Sequence, residues 1–187
     1  MKVEEKSWGQ TGVCPSLMHM PIDTFPADNL IAPAVLYNFA DKNLKPGELI
    51  TLDMVKAYEQ EKGVQVGKGE IALINFGWMQ RHWRTDAQSV WFVKNAPGTR
   101  EDAIVYFKER GIRAIGCDTV ACDMAVIDGV GQETTGLTTH WLPNGILIIE
   151  MLTNLDKLSL RSLFAATPLK IKEGSGSPIR PLAFCEN

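Results

Sequence analysis

One stretch near the C-terminus concentrates residue types that can do chemistry: Thr138-Thr139-His140-Trp141-Leu142-Pro143-Asn144-Gly145, then Ile146-Leu147-Ile148-Ile149-Glu150. The four branched aliphatics are too few for a helix and read as a buried strand. Glu150 ends that strand, and a carboxylate at the end of an all-apolar strand is costly to bury unless something pairs with it. A metal ion, a catalytic partner or a backbone cap could do so. His140 stands ten residues upstream, across a loop that could fold back. Histidine with glutamate is a common part of a zinc or manganese site, although such a site needs a third and fourth ligand. The alternative is structural: Glu150 caps Asn154-Leu155, and His140 is an ordinary loop residue.

Several elements must position these residues. Pro33 to Phe39 reads as a strand opened by proline, and Thr51 as the N-cap of a helix carrying Leu52, Val55 and Tyr58 and ended by Gly63. Ile71 to Phe76 is a strand stopped by Gly77. Trp78, His82, Trp83, Trp91 and Phe92 then crowd one segment. Read as a surface loop, so many rings should wall a pocket or an oligomer contact, or else cover one end of the core. Thr99 should cap a second helix that Gly111 ends, with Ile104 and Phe107 facing inward. Ile112 to Cys117 is a strand, and residues 120–137 a glycine-rich loop. A short helix from Lys157 to Leu163 and closing strands at Ala166 to Ile171 and Ile179 to Phe184 complete the chain. Strands alternating with helices and then recurring in pairs give an α/β domain with a mixed sheet over residues 21–187, preceded by an irregular arm over residues 1–20.

Composition narrows the function. With 45% hydrophobic and 22% charged residues over 187 positions, the chain can build a globular core. A net charge of −3 gives no basic face, so nucleic acid is not an expected partner. No apolar run is long enough for a membrane span. The N-terminus Met1-Lys2-Val3-Glu4-Glu5-Lys6 lacks the apolar core of a signal peptide, so a cytoplasmic location is expected, with Cys14, Cys117, Cys122 and Cys185 as thiols.

These residues, taken together, resemble the kynurenine formamidase-like, or cyclase, family. The likeness runs in order from about residue 22 to residue 187. It rests on Ile22 to Val35, Gly77-Trp78, Gly116-Cys117-Asp118-Thr119, His140 with Glu150, Thr153 to Leu158, Pro168 to Ile171 and Gly176 to Arg180. It implies a swivelling β/β/α fold, metal-dependent hydrolysis of amides, lactones or cyclic amides with zinc or manganese, a small-molecule substrate, and a homo-oligomer. It also implies that His140 and Glu150 are metal ligands. The family's upstream motif H-x-G-T-H-x-D-x-P-x-H is absent, and the chain is expected to lack the family's N-terminal strands. Aligned against that motif with one deletion, Cys14 falls where a ligand histidine belongs and His19 where the catalytic acid/base histidine belongs. Trp78, His82 and Trp83 are the substrate-binding candidates. In the intact chemistry, the ion lowers the pKa of water toward about 7 and a histidine shuttles the proton. Two other readings stand beside this one: an inactive family member serving as a binding or interaction protein, and a gene fragment.

Overall fold

Four short apolar runs fix the centre of the molecule. The computed structural model describes residues 21–85, 88–132 and 140–185. The expected arm, with Cys14 and His19, lies outside the described residues. β1 (Ile31–Asn38), β3 (Ile71–Asn75), β5 (Ala114–Cys117) and β8 (Leu147–Ile149) lie side by side in parallel, and β9 (Arg161–Ala165) and β10 (Leu182–Cys185) extend the sheet antiparallel beyond β1. The order β10-β9-β1-β3-β5-β8 is thus mixed, as expected. Two small pairs accompany it: β2 (Leu49–Ile50) with β4 (Gly98–Thr99), and the hairpin of β6 (Ala125–Ile127) and β7 (Val130–Gln132).

Each step from β1 to β3 to β5 to β8 moves in one direction across the sheet, so right-handed crossovers place their helices on one face. The helices are α1 (Leu52–Lys62), α2 (Trp78–His82), α3 (Gln88–Lys94) and α4 (Glu101–Glu109). Val35, Tyr37, Ala72, Ile74 and Ile115 meet Val55, Ile104 and Phe107 on that face. The intervening residues Ala34, Leu36, Leu73 and Ile149 form a second core with Leu152, Leu155 and Phe164. β3 is buried at all five positions, as a central parallel strand requires. The Thr51 hydroxyl accepts from Met54 N, and Gly63 ends α1 at φ +63°.

Local chemistry overrides other expectations. Thr99 does not cap α4: its side chain donates to Cys122 O while Arg100 takes the cap position. The short helix expected from Lys157 is a single turn at Leu155–Lys157, and β9 follows it because β1 offers Ile31 to Val35 as a pairing edge. No strand forms at Ala166 to Ile171, whereas the closing strand expected over Ile179 to Phe184 is present as β10, paired to β9. The aromatic loop is instead helical at α2 and α3. Cys117 and Cys122, expected as thiols, are joined by a disulfide, because the Asp118-Thr119 turn brings their Cα atoms to 5.5 Å. No helix among the described residues is long and apolar enough to cross a membrane.

Candidate functional site

Polar residues gather where the parallel strands end. Asn38, Asn75, Asp118 and Glu150 stand at or just beyond the last residues of β1, β3, β5 and β8. The carboxyl edge of a parallel sheet is where ligands bind in such folds. Asn75 links two of these ends: its amide donates to Asn38 Oδ1 at 3.1 Å, and its carbonyl accepts from Gly77 N at 2.9 Å. Gly77 is required at this turn, since its φ is +70° and a Cβ would meet the Ala40 backbone at 3.0 Å.

Asp118 organises the same turn. It is buried, and its carboxylate accepts from Phe76 N at 2.8 Å and Met79 N at 3.1 Å. Burial pushes its carboxyl above the ordinary range, and the backbone N–H groups pull it back. Its role was missed in the sequence, where it reads only as part of Gly116-Cys117-Asp118-Thr119. The available signal was a carboxylate directly after an apolar strand. A cavity of about 230 Å³ opens beside it, lined by Asn75, Gln80, Thr153, Asp156 and Lys157. A larger cavity of about 610 Å³ lies between Glu150, Phe164, Arg180 and Ala183.

Glu150 ends β8 as expected. Burial, then the like charge of Asp123, push its carboxyl up to about 7. Its side chain reaches solvent at the cavity mouth even though the carboxyl is crowded by protein. Asp123 is 3% exposed and is the second acidic group the sequence reading passed over. Two neighbouring carboxylates, one of them held near neutrality, are a donor set that suits a divalent cation. They do not complete one: among the described residues, no three His, Cys, Asp or Glu side chains form a metal-holding group.

His140 does not share these surroundings. Its Nδ1 is 3.4 Å from Lys108 Nζ and its Nε2 3.2 Å from Glu101 Oε1, both on α4. An ammonium only donates, so Nδ1 accepts and the ring proton sits on Nε2, which donates to Glu101. Both nitrogens are engaged, so a ligand role would require one contact to break. Cys14 and His19 lie outside the described residues.

The aromatic candidates separate by burial. Trp78 is 1% exposed and stacks on Trp91, with ring centroids 5.7 Å apart. His82 lies 4.2 Å from Trp78 and 5.1 Å from Trp91. Burial, then Arg81 and Arg84, lower the His82 pKa, so its ring is neutral at pH 7. Trp83 is 37% exposed and meets Phe92 edge-on at 5.3 Å. Trp78 is therefore a core ring, with Trp91 as its exposed partner. Among the described residues the buried indole nitrogens of Trp78 and Trp141 have no hydrogen-bond partner, and an orphaned buried donor calls for an explanation.

Comparison with known proteins agrees with this architecture. The family model described as Putative cyclase matches residues 12–124. The isatin hydrolase of Roseibium aggregatum is 31% identical over 170 residues, covering 87% of this chain and 62% of the relative. Isatin hydrolase A from Ralstonia solanacearum superimposes with a TM-score of 0.74 at 28% identity, over 89% of this chain and 64% of that one. An isatin hydrolase bound to the product analogue thioisatinate gives 0.72 at 29%, over 87% and 63%. The chain thus spans just under two thirds of the length of these relatives. A potential metal-dependent hydrolase with cyclase activity shares the fold, with a TM-score of 0.63 at 22% identity, over 88% and 70%.

Proposed function

Because this chain belongs to the putative cyclase family, we propose that it is a metal-dependent hydrolase that opens an amide, lactone or cyclic amide bond in a small molecule. The observation that carries this reading is Glu150, whose carboxyl is pushed to about 7 beside Asp123 at the carboxyl edge of the sheet. The names of the isatin hydrolase relatives support a cyclic amide fused to an aromatic ring.

Glu150 and Asp123 would hold zinc or manganese, with His140 and Cys14 as the remaining candidates. The ion, when bound, acidifies water and polarises the scissile carbonyl. The chain's own residues do the rest. His82 with Trp91 would offer a neutral aromatic surface to a flat substrate. Asp118 and Gly77 fix the turn that carries Trp78. His19, as the proton shuttle, belongs to the same proposal.

The cytoplasmic location is likewise a proposal. The Cys117–Cys122 bond runs against it, since disulfides are rare in reducing compartments. The functional test is kcat/KM on N-formyl aromatic amines and cyclic amides, isatin included, with zinc or manganese added, together with metal content by mass spectrometry. Turnover should depend on the ion, and Glu150→Ala should lower both rate and bound metal. Unchanged metal content in that variant would remove Glu150 from the site. A folded protein with no turnover at saturating metal would favour the inactive binding protein.

A further inference from the structure

The turn after β5 is closed covalently, and three parts of the candidate site hang from it. Cys117 ends β5 and is joined to Cys122, so the bond spans Asp118, Thr119, Val120 and Ala121. Asp118, next to the first cysteine, accepts from Phe76 N and Met79 N and so holds the start of α2, the helix of Trp78 and His82. Asp123, next to the second, is the acid that faces Glu150. Between them, Thr119 O accepts from Met151 N at 3.0 Å, and Cys117 O accepts from Leu152 N at 2.9 Å. Those two bonds fix the chain directly after Glu150.

Each sulfur of the bond has an oxygen acceptor within reach. Cys117 Sγ lies 3.3 Å from Thr119 Oγ1, whose own hydrogen is spent on Ala121 O at 2.9 Å. Cys122 Sγ lies 3.7 Å from Ile149 O. A disulfide sulfur has no hydrogen to donate, so these oxygens do nothing for the bonded state. In the dithiol each would take one S–H. Both cysteines are fully buried, and a buried thiol pair would therefore find partners without rebuilding the core. A bond that only braced the fold would have no use for those acceptors. We propose that Cys117 and Cys122 form a reversible redox switch, in which the disulfide locks the turn carrying Asp118 and Asp123 and reduction to two thiols releases it.

The bond lies beneath Val120 and Ala121, which are partly exposed, so a reductant reaches it when that tip lifts. A dithiol reductant attacks one sulfur as its thiolate, which breaks the Cys117–Cys122 bond and forms a mixed disulfide. The second thiolate of the reductant then displaces the protein sulfur and leaves as a disulfide, and Cys117 and Cys122 have gained two electrons and two protons. Opening the ring frees the four bridging residues and lets Cys122 and Asp123 move away from the end of β5. Disulfides that form in reducing compartments are usually of this transient, sensing kind, so the bond is compatible with such surroundings.

The test is differential alkylation with peptide mapping, together with amide hydrogen exchange, on the full chain before reduction, in dithiothreitol, and after re-oxidation with glutathione disulfide. Cys117 and Cys122 should be blocked at first, labelled after reduction and blocked again at the end, with native circular dichroism throughout. Exchange at the Phe76, Met79 and Met151 amides should rise at least ~10-fold on reduction and return on re-oxidation, while the amides within β3 stay protected. Cys117→Ser with Cys122→Ser keeps a donor at each position and should show the reduced rates in either buffer. Should that variant fail to fold, the wild-type cycle decides alone. A reduced chain that loses its native circular dichroism would make the bond purely structural and overturn the proposal. So would unchanged exchange, a bond that dithiothreitol does not open in the folded chain, or cysteines that are unbonded at the outset. A fall in turnover on reduction is expected only on the hydrolase reading; thiol state and exchange do not depend on it, so the two can fail separately.

Discussion

Glu59 and Glu150 both set a carboxylate against apolar protein, and their surroundings differ completely. Glu59, on α1, is 8% exposed. It accepts from the Tyr37 hydroxyl at 2.7 Å, the Tyr106 hydroxyl at 2.8 Å and the Gln65 amide at 3.3 Å, with Lys56 Nζ at 3.7 Å. The Tyr37 hydroxyl in turn accepts from Val66 N, so its own polar atom is doubly used. At Glu150 the neighbour that acts is Asp123, of the same sign, and no described residue donates a hydrogen bond to its carboxylate. Among the described residues one carboxylate is surrounded by donors and the other faces an acid, which is the arrangement the proposed metal role of Glu150 would use. On that proposal, the contrast separates a carboxylate that holds the fold from one that would take a cation.

The largest expected effects lie on the structural side. Glu59→Ala removes the acceptor for two hydroxyls and an amide and should cost about 3 kcal/mol in urea unfolding. A loss under about 1 kcal/mol would mean that the network is not structural, and the contrast with Glu150 would fail. Trp78→Ala should cost about 3–5 kcal/mol, because that ring fills the core. Trp91→Ala, exposed, should cost under about 1 kcal/mol while weakening an aromatic lactam measured per folded molecule. Equal losses of stability in both variants would place Trp91 in the core with Trp78.

The Cys117–Cys122 bond comes next. It closes a short loop around Asp118, and a loop of that length constrains the unfolded chain by about 2 kcal/mol. Reduction should lower the melting point accordingly, with two extra thiols titrated. No shift on reduction would show that Asp118 and its backbone bonds hold the turn unaided.

The centre of the fold was legible in the sequence because its signals are local. Thr51, Gly63 and the run Ile71 to Asn75 carry their own instructions, and β1, β3, α1 and β5 fall within a few residues of expectation. In the C-terminal third β8 and β10 fall near the expected strands at Ile146 to Ile149 and Ile179 to Phe184, but β9 was not legible, because Arg161–Ala165 is a strand only where β1 has a free edge. Within the site, Glu150 could be read from its place after four aliphatics. Asp118 carried the same signal, a carboxylate directly after an apolar strand, but not its backbone N–H partners, and Asp123 carried none, since its importance lies in a carboxylate that folding brings near. His140 is a ligand candidate through the family resemblance; that its ring also meets Glu101 and Lys108, from a helix some thirty to forty residues earlier, is a contact no local pattern spans.

The smallest effect is the sharpest test of the contrast, and it is a pH dependence. The Glu150 carboxyl is raised from its usual value near 4.5 to about 7 on folding. Below about 4.5 both folded and unfolded chains hold the proton, and this group takes nothing from stability. Between about 4.5 and 7 the unfolded chain releases the proton while the folded chain keeps it, so stability falls as pH rises. Above that window both states are ionised and the loss is complete. Solvent at the cavity mouth screens the charge, so the fall should be shallow. Glu150→Gln should match the wild type near pH 4 and exceed it at pH 8, in the absence of metal. A divalent ion should restore the wild type at pH 8 and leave the glutamine variant where it was. Parallel stability curves for the two proteins would mean that Asp123 does not act on Glu150. A metal response that persists in the variant would move the ion to other residues.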